Sequence, residues 1–224
     1  LLHSWAMSLR FAEEILLLAL DDTSGKLHAV PEGSLRLAIA GGLIMELAFS
    51  GVVDTDDKNL EVLSRQPTGD ALLDDVLKRI PEEKPFSIQR ALNAVSDYGD
   101  EWRRRLIDEL KQRGILTQVD HRLFFVLKER RYPVVDNKEE QEVLSRIREV
   151  VLDPEAIPDP RDVVIICLVD ACDLGPVIFT EEELKANQER IEQIAKMDFI
   201  GQALSRAVEK IQQALLEVMA YSGM

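Results

Sequence analysis

The 224-residue chain has few of the residues that build metal centres and disulfide frameworks. Its two cysteines, Cys167 and Cys172, lie five positions apart in an apolar run. Its three histidines, His3, His28 and His121, are widely separated and form no His-x-x-x-His pair, so no standard zinc-ligand set is present. Two cysteines exclude a disulfide framework, and buried thiols in a reducing compartment are the favoured interpretation. We therefore predict no metal site.

Catalytic motifs are also missing. The sequence contains no Gly-x-Ser-x-Gly elbow and no Walker phosphate loop. The glycines at 40–43 lie in a helical pattern, where small residues more often permit close helix packing. The segment 54–59 resembles a calcium loop, but Asn59 stands where such a loop needs glycine and Arg65 where it needs glutamate. We predict a protein that is not an enzyme, with no catalytic residue and no cofactor.

Long hydrophobic runs are lacking as well. The apolar run at 15–20 is followed at once by two aspartates, and the run at 163–169 is less than half of the roughly 20 residues that a membrane span needs. The first residues carry no basic leader. We expect a soluble, cytoplasmic protein that associates with membranes only peripherally. Residues 1–8 are predicted to be an N-terminal extension or vector remnant, and 9–222 a single domain.

Basic residues are scarce, since 27 lysines and arginines face 41 aspartates and glutamates and the formal net charge is -14. This balance excludes a protein whose whole surface grips nucleic acid, because the long-range field opposes approach. The exception is the stretch 102–131, where nine basic and four acidic residues give a net charge of +5. Only a local basic surface could bind an anion, and we predict no nucleic-acid partner.

Three consecutive arginines open this basic stretch. If 100–113 is helical, Arg104 faces Asp108, and Arg105 faces glutamates four residues away on either side. Arg103 has only Asp100 nearby, at the start of the helix. Its guanidinium is therefore available to an anionic ligand, and its planar fork suits phosphate oxygens.

Hydrophobic periodicity predicts a mainly helical single domain with small β-hairpins. Asp70 is the expected N-cap of one helix and Gly114 the expected end of another. The apolar run 162–172 is ambiguous, because periodicity alone does not separate a buried helix from a buried strand. Helices are predicted over 8–20, 34–50, 71–80, 86–96, 100–113, 138–152, 180–196 and 200–221, and hairpins over 52–64 and 115–127.

Two features of the basic stretch are candidates for contact with a membrane or a second copy of the chain. Trp102 is either a core anchor, because Leu106 and Leu110 continue its helix face, or an interfacial wedge. The hairpin contains an apolar run from 123 to 127 that is too hydrophobic for both of its faces to be wetted. The candidate contact residues are Trp102, Arg122, Leu123, Phe124 and Phe125.

Five sequence blocks, in order, resemble the Golgi phosphoprotein 3 family, and the similarity extends over essentially the whole chain from Leu9 onward. The "QPTGDALLDD" part of the third block is the most specific. The resemblance implies a single domain with a central helical bundle surrounded by amphipathic helices, and it implies that 162–172 is a helix. The blocks are "LRFAEEILLLALDD" (9–22), "AGGLIMELAFSGVV" (40–53), "QPTGDALLDDVLKRI" (66–80), "RRLIDELKQRGILT" (104–117) and "IREVVLDPEAIPDPRDVVIICLVDACD" (147–173).

The resemblance also implies a function. Eukaryotic members of the family are peripheral membrane proteins that bind phosphatidylinositol 4-phosphate and act as adaptors for the tails of Golgi glycosyltransferases. Their lipid pocket combines a tryptophan with basic residues, and their β-hairpin serves membrane contact and oligomer formation. Of the matching positions here, one pocket arginine falls on Arg103, a second on Asp100 and a third on Ala40, with Arg36 one turn away. The segment 25–33 has no aromatic residue beyond His28, so the tryptophan has no counterpart.

Two hypotheses of function stay open. The first is a non-catalytic adaptor at the membrane surface, which binds anionic phospholipid headgroups, with phosphatidylinositol 4-phosphate as the implied ligand, through Arg103, Arg36 and Arg104. The second is a cytosolic protein-protein adaptor that has lost phosphoinositide binding and forms homo-oligomers through the 115–127 hairpin. The predicted partners are an anionic membrane surface, cytosolic tails of membrane proteins and further copies of the chain.

Overall fold

The computed structural model describes residues 9–21, 24–28, 32–55, 59–82, 86–123, 127–133, 135, 138–171 and 174–195, with four further positions between 213 and 220. For residues 119–123 and 127–130 the description covers the backbone only. The predicted extension 1–8 lies outside the described residues, and so does almost all of the predicted helix 200–221.

The described residues form eight α-helices and five β-strands, which confirms the predicted mainly helical single domain. The run at 162–172 is helical, as the resemblance implied. A short 3-10 turn at Gly175–Val177 precedes the last helix. The elements are α1 (Phe11–Leu18), α2 (Glu32–Phe49), β1 (Val53–Thr55), β2 (Asn59–Val62), α3 (Ala71–Arg79), β3 (Phe86–Ser87), α4 (Ile88–Ser96), α5 (Gly99–Gln112), β4 (Val119–Leu123), β5 (Leu127–Arg131), α6 (Lys138–Leu152), α7 (Pro160–Ala171) and α8 (Glu181–Ala195).

Helices α1 and α2 form the centre of the domain. Every residue of α1 is buried, and α1 contacts α2, α5, α6 and α7. A helix that is covered on all sides must be apolar nearly all round, as the sequence of α1 is. The closest approach lies at Gly42, where a Cβ atom would stand 3.0 Å from the backbone nitrogen of Ala12. Gly42 therefore permits close helix packing, as predicted.

Two carboxylates of α1, Glu13 and Glu14, are buried with the apolar residues around them. Arg10 and Arg113 each place a guanidinium nitrogen 3.2 Å from Glu13, and Arg146 lies 3.3 Å from Glu14. Burial nevertheless raises the pKa of Glu14 to about 7, because desolvation of the charged form outweighs the attraction of Arg146. Hydrophobic periodicity did not predict these buried ion pairs.

A small antiparallel sheet covers one side of the helices. Strands β1 and β2 form the first predicted hairpin, and β3 adds a third strand in the order β1-β2-β3. The helix predicted from residue 86 begins two residues later, because Phe86 pairs with Leu60 in the sheet. The Ser87 hydroxyl then accepts a hydrogen bond from the Arg90 backbone N–H at 3.1 Å and caps α4.

Two predicted helix ends are confirmed. At the start of α3, the Asp70 carboxylate accepts hydrogen bonds from the backbone N–H groups of Leu72 at 2.9 Å and Leu73 at 3.2 Å. Directly after α5, Gly114 adopts a φ of 75°, the left-handed conformation that glycine tolerates best. Gly114 thus marks the end of α5, the helix that supplies five of the eleven residues lining the candidate site.

The second hairpin lies further along the chain than the predicted range of 115–127. Strands β4 and β5 pair antiparallel, and Asp120, where the turn was expected, sits inside the ladder opposite Arg130. Residues 115 and 116 are buried in the core instead. The prediction was wrong because the charged segment 128–131 lacks the alternation of a half-buried strand, whereas a two-stranded ribbon tolerates charge along its exposed edges.

Candidate anion-binding site

Trp102 is the first residue of the basic stretch, and it points into the core. Its side chain has no exposed surface, and its indole N–H donates a hydrogen bond to the Val95 carbonyl at 2.8 Å. Leu106 and Leu110 continue the same buried face of α5. The core interpretation is confirmed, and the prediction that Trp102 contacts a membrane or a second copy is wrong because its ring does not reach the surface.

The arginines that follow Trp102 point in different directions. Arg105 turns toward α3 and pairs with Asp75 at 2.7 Å, not with the glutamates of its own helix. Asp108 pairs with Lys111 at 3.3 Å, so the expected contact with Arg104 is not formed. Arg104 is exposed and pairs with no acidic residue in the described part of the chain.

Arg103 pairs with Asp100, one turn earlier on α5, at 3.0 Å from Nη2 to Oδ1. The other oxygen of the same carboxylate, Oδ2, lies 2.5 Å from Nη2 of Arg36 on α2. Asp100 therefore bridges two of the three arginines that were predicted to bind a headgroup, with one oxygen on each.

The position of Arg36 depends on a glycine at the start of α5. A Cβ atom on Gly99 would stand 2.7 Å from Cγ of Arg36 and 3.0 Å from its Cβ, closer than packed atoms approach. The aliphatic part of Arg36 thus lies directly against the first turn of α5. This contact brings α2 and α5 together at the bridging carboxylate.

A surface cavity of about 720 Å³ opens beside this bridge. Three of its lining residues are cations and two are carboxylates, so the lining carries a net charge of +1 on a chain that is strongly acidic. Arg36 is not among the lining residues, and its ion pair with Asp100 links it to the cavity wall. The lining residues are Leu20, Gly25, Lys26, Leu27, Asp100, Arg103, Arg104, Ile107, Asp108, Gln118 and Tyr132.

The wall opposite α5 is the turn that follows α1. Gly25 has a φ of 61°, and its carbonyl accepts a hydrogen bond from the Tyr132 N–H at 2.9 Å. A Cβ atom on Gly25 would lie 2.2 Å from the backbone nitrogen of Pro133, so only glycine fits this approach. The close contact places Lys26 and Leu27 at the cavity.

Sequence reasoning found part of this site. It selected Arg103 and Arg104, which line the cavity, but missed Lys26 and Tyr132. The available signal was the resemblance, which assigned a pocket residue to the segment 25–33. The segment lacks the family's tryptophan, but its Lys26 lines the cavity.

Several predicted contact residues are not tested by the structure. Phe124 and Phe125 lie outside the described residues, and the side chains of Arg122 and Leu123 are not described.

Cys167 is buried, and desolvation raises its pKa to about 12; Cys172 lies outside the description. Among the described residues, no three histidine, cysteine or acidic side chains are grouped to hold a metal ion, and no helix is long and apolar enough to cross a membrane.

The fold and the cavity define a compact helical domain with a cationic recess lined by α5, by the turn that follows α1 and by residues that flank the second hairpin. The family model of Golgi phosphoprotein 3 (GPP34) matches residues 11–211, which is most of the chain. The chain therefore belongs to the Golgi phosphoprotein 3 family. It is also similar to vacuolar protein sorting-associated protein 74 of Eremothecium gossypii, with 27% identity over 168 residues, covering 65% of this chain and 50% of that protein. The chain thus spans about half the length of this curated relative.

Proposed function

We propose that this protein is a non-catalytic, cytoplasmic adaptor that associates peripherally with membranes by binding anionic phospholipid headgroups in the cavity beside α5. Phosphatidylinositol 4-phosphate is the ligand that the family implies. The name of the Eremothecium relative associates that protein with vacuolar protein sorting, which supports an adaptor role with the cytosolic tails of membrane proteins as partners. The observation that carries the proposal is the grouping of Lys26, Arg103 and Arg104 around one cavity.

The size and chemistry of the cavity suit a phosphorylated headgroup. Its volume of about 720 Å³ lies within the range of small-molecule sites. Arg103 and Arg104 each present a guanidinium fork to phosphate oxygens, and Lys26 adds a point charge from the opposite wall. Charge-assisted hydrogen bonds of this kind contribute roughly 1.5 to 3 kcal/mol each when shielded from water, and less at an open site.

Apolar side chains near the cavity would support contact with a bilayer. Leu27 lines the cavity with 38% of its surface exposed, and Val135 is exposed three residues after Tyr132. The backbone N–H of Val135 is held by the Ile115 carbonyl at 2.9 Å, so its position is fixed. Exposed apolar residues beside cations are the combination that favours the interface of an anionic leaflet.

The test is co-sedimentation of the protein with liposomes of neutral phosphatidylcholine, with or without phosphatidylglycerol or phosphatidylinositol 4-phosphate. Arg103→Glu should weaken binding to the anionic liposomes about tenfold or more, because it removes one cationic contact and adds a repulsive charge. Arg90→Glu is the matched control, since Arg90 is exposed on α4 and does not line the cavity. If both variants lose liposome affinity equally, binding depends on general surface charge and not on the cavity.

A second candidate function is a protein-protein adaptor that assembles through the hairpin. Strands β4 and β5 pair only with each other among the described strands, so both outer edges of this ribbon can accept another strand. A mass that rises with concentration in sedimentation velocity, together with no pelleting on any liposome at low salt, would favour this candidate over lipid binding.

A further inference from the structure

We infer that Asp100 is a built-in competitor for the ligand, a carboxylate of the protein that occupies the position between Arg36 and Arg103 when no external anion is bound. The inference rests on the proposed function, because it concerns the same anion-binding cavity. It adds to that function a residue that weakens binding and sets the affinity for every anion.

The geometry of Asp100 is that of a bound anion. Its two oxygens lie at 2.5 Å from Arg36 and 3.0 Å from Arg103, so one acceptor serves each guanidinium. Arg103 is the predicted headgroup ligand, and it also lines the cavity. A phosphate that takes the Nη2 donor of Arg103, which now serves Asp100, replaces one oxygen of this carboxylate.

The carboxylate is able to leave. Its side chain is 56% exposed, and it belongs to the first turn of α5, so it can rotate into solvent without unfolding the helix. The competing contact is intramolecular and hence present at high effective concentration, but exposed ion pairs are weak. Displacement of Asp100 from the two arginines thus has a moderate free-energy cost, and it precedes or accompanies ligand binding.

Such a step affects all anions alike. Suppose that the site accepts ligand only in the fraction of molecules in which Asp100 has moved away from the arginines. The apparent dissociation constant of every anion is then raised by the same factor, which is the inverse of that fraction. Removing the competitor should therefore lower the dissociation constants for different anionic headgroups in equal proportion. A residue that contacted the ligand itself would change different headgroups by different amounts.

The experiment uses Asp100→Asn in the full chain, with liposomes of phosphatidylcholine alone, with phosphatidylglycerol, and with phosphatidylinositol 4-phosphate. Asp108→Asn is the matched control, because Asp108 lines the same cavity on the same helix and pairs with Lys111 instead of either bridged arginine. Both variants remove one negative charge, so a general electrostatic effect appears equally in both.

Asp100→Asn should tighten binding to both kinds of anionic liposome by a common factor of about 2 to 30, which is the factor expected from the loss of two exposed ion pairs. The gain should be larger than the gain from Asp108→Asn. The double variant Asp100→Asn, Arg103→Glu should lose this gain. A parent that binds no liposome and an Asp100→Asn variant that binds in an Arg103-dependent manner would also support the inference.

Other outcomes separate this inference from the proposed function. If the parent binds through Arg103 but the two asparagine variants gain equally, Asp100 is no competitor and the lipid site stands. If Asp100→Asn weakens binding to phosphatidylinositol 4-phosphate, Asp100 accepts hydrogen bonds from the headgroup, which overturns competition. If neither the parent nor Asp100→Asn binds any anionic liposome, both the inference and the proposed function fail.

Discussion

Glu14→Gln should stabilise the protein above neutral pH, although it removes a charge that is paired with arginine. The pKa of Glu14 rises from an ordinary 4.5 to about 7 on folding, chiefly because burial desolvates the carboxylate. Below pH 4.5 the group is protonated in both states. Between about 4.5 and 7 only the unfolded chain releases the proton, so the free energy of unfolding falls as the pH rises.

The size of the effect follows from the difference of about 2.5 pKa units, which corresponds to about 3 kcal/mol as an upper figure. Glutamine resembles the protonated side chain and does not titrate. Its partner Arg146 keeps Asp162 at 2.8 Å, so the substitution leaves no unpaired buried charge. The two proteins should be similarly stable near pH 4.5, and the variant should be more stable at about pH 8.

Urea denaturation followed by circular dichroism, at several pH values from about 4.5 to about 8, measures this difference directly. Subtracting the parent's free energy of unfolding from that of the variant at each pH cancels the contributions of the other titrating groups. Glu183, whose pKa is lowered to about 2 chiefly by its hydrogen bond from Arg148, titrates below the window in any case. Parallel curves across the range, or a variant less stable at pH 8, would refute the reasoning about desolvation.

Two further substitutions test the core and the cavity wall. Trp102→Phe should lower the free energy of unfolding by about 1 to 3 kcal/mol, because it removes the hydrogen bond to Val95 and part of the buried ring, and an unchanged urea midpoint would contradict the buried placement. Gly25→Ala should detach the turn after α1, speed hydrogen exchange at the Tyr132 amide and weaken binding to anionic liposomes. An exchange rate equal to the parent's would show that the close approach is not required.

Sequence patterns predicted most of the described helices from local signals, although periodicity left the run 162–172 open and almost all of the predicted helix 200–221 lies outside the described residues. The cap at Asp70, the glycine at 114 and the regular spacing of Trp102, Leu106 and Leu110 are local signals, and the structure confirms each of them. The second hairpin was misplaced because its register depends on which backbone groups pair, and the charged residues of β5 give no periodic signal.

The candidate site was harder to predict because its contacts join distant parts of the chain. Local spacing predicted partners within α5 for the arginines of that helix. In the structure, Arg105 pairs with Asp75, thirty residues away, and Arg36 pairs with Asp100, 64 residues away. Helix-surface rules describe neighbours on one element only. The docking of the turn at Gly25 against Tyr132, which brings Lys26 to the cavity, is likewise a tertiary contact with no short-range signature.

The complete burial of α1 has a consequence for the order in which the chain can fold during synthesis. This helix leaves the ribosome before its neighbours α6 and α7, which lie more than a hundred residues further on. Until they emerge, part of its apolar surface stays uncovered and Glu14 cannot pair with Arg146 of α6. The domain therefore completes its core only after α7 has been synthesised. A nascent chain that stops before α7 exposes apolar surface of α1, to which chaperones can bind.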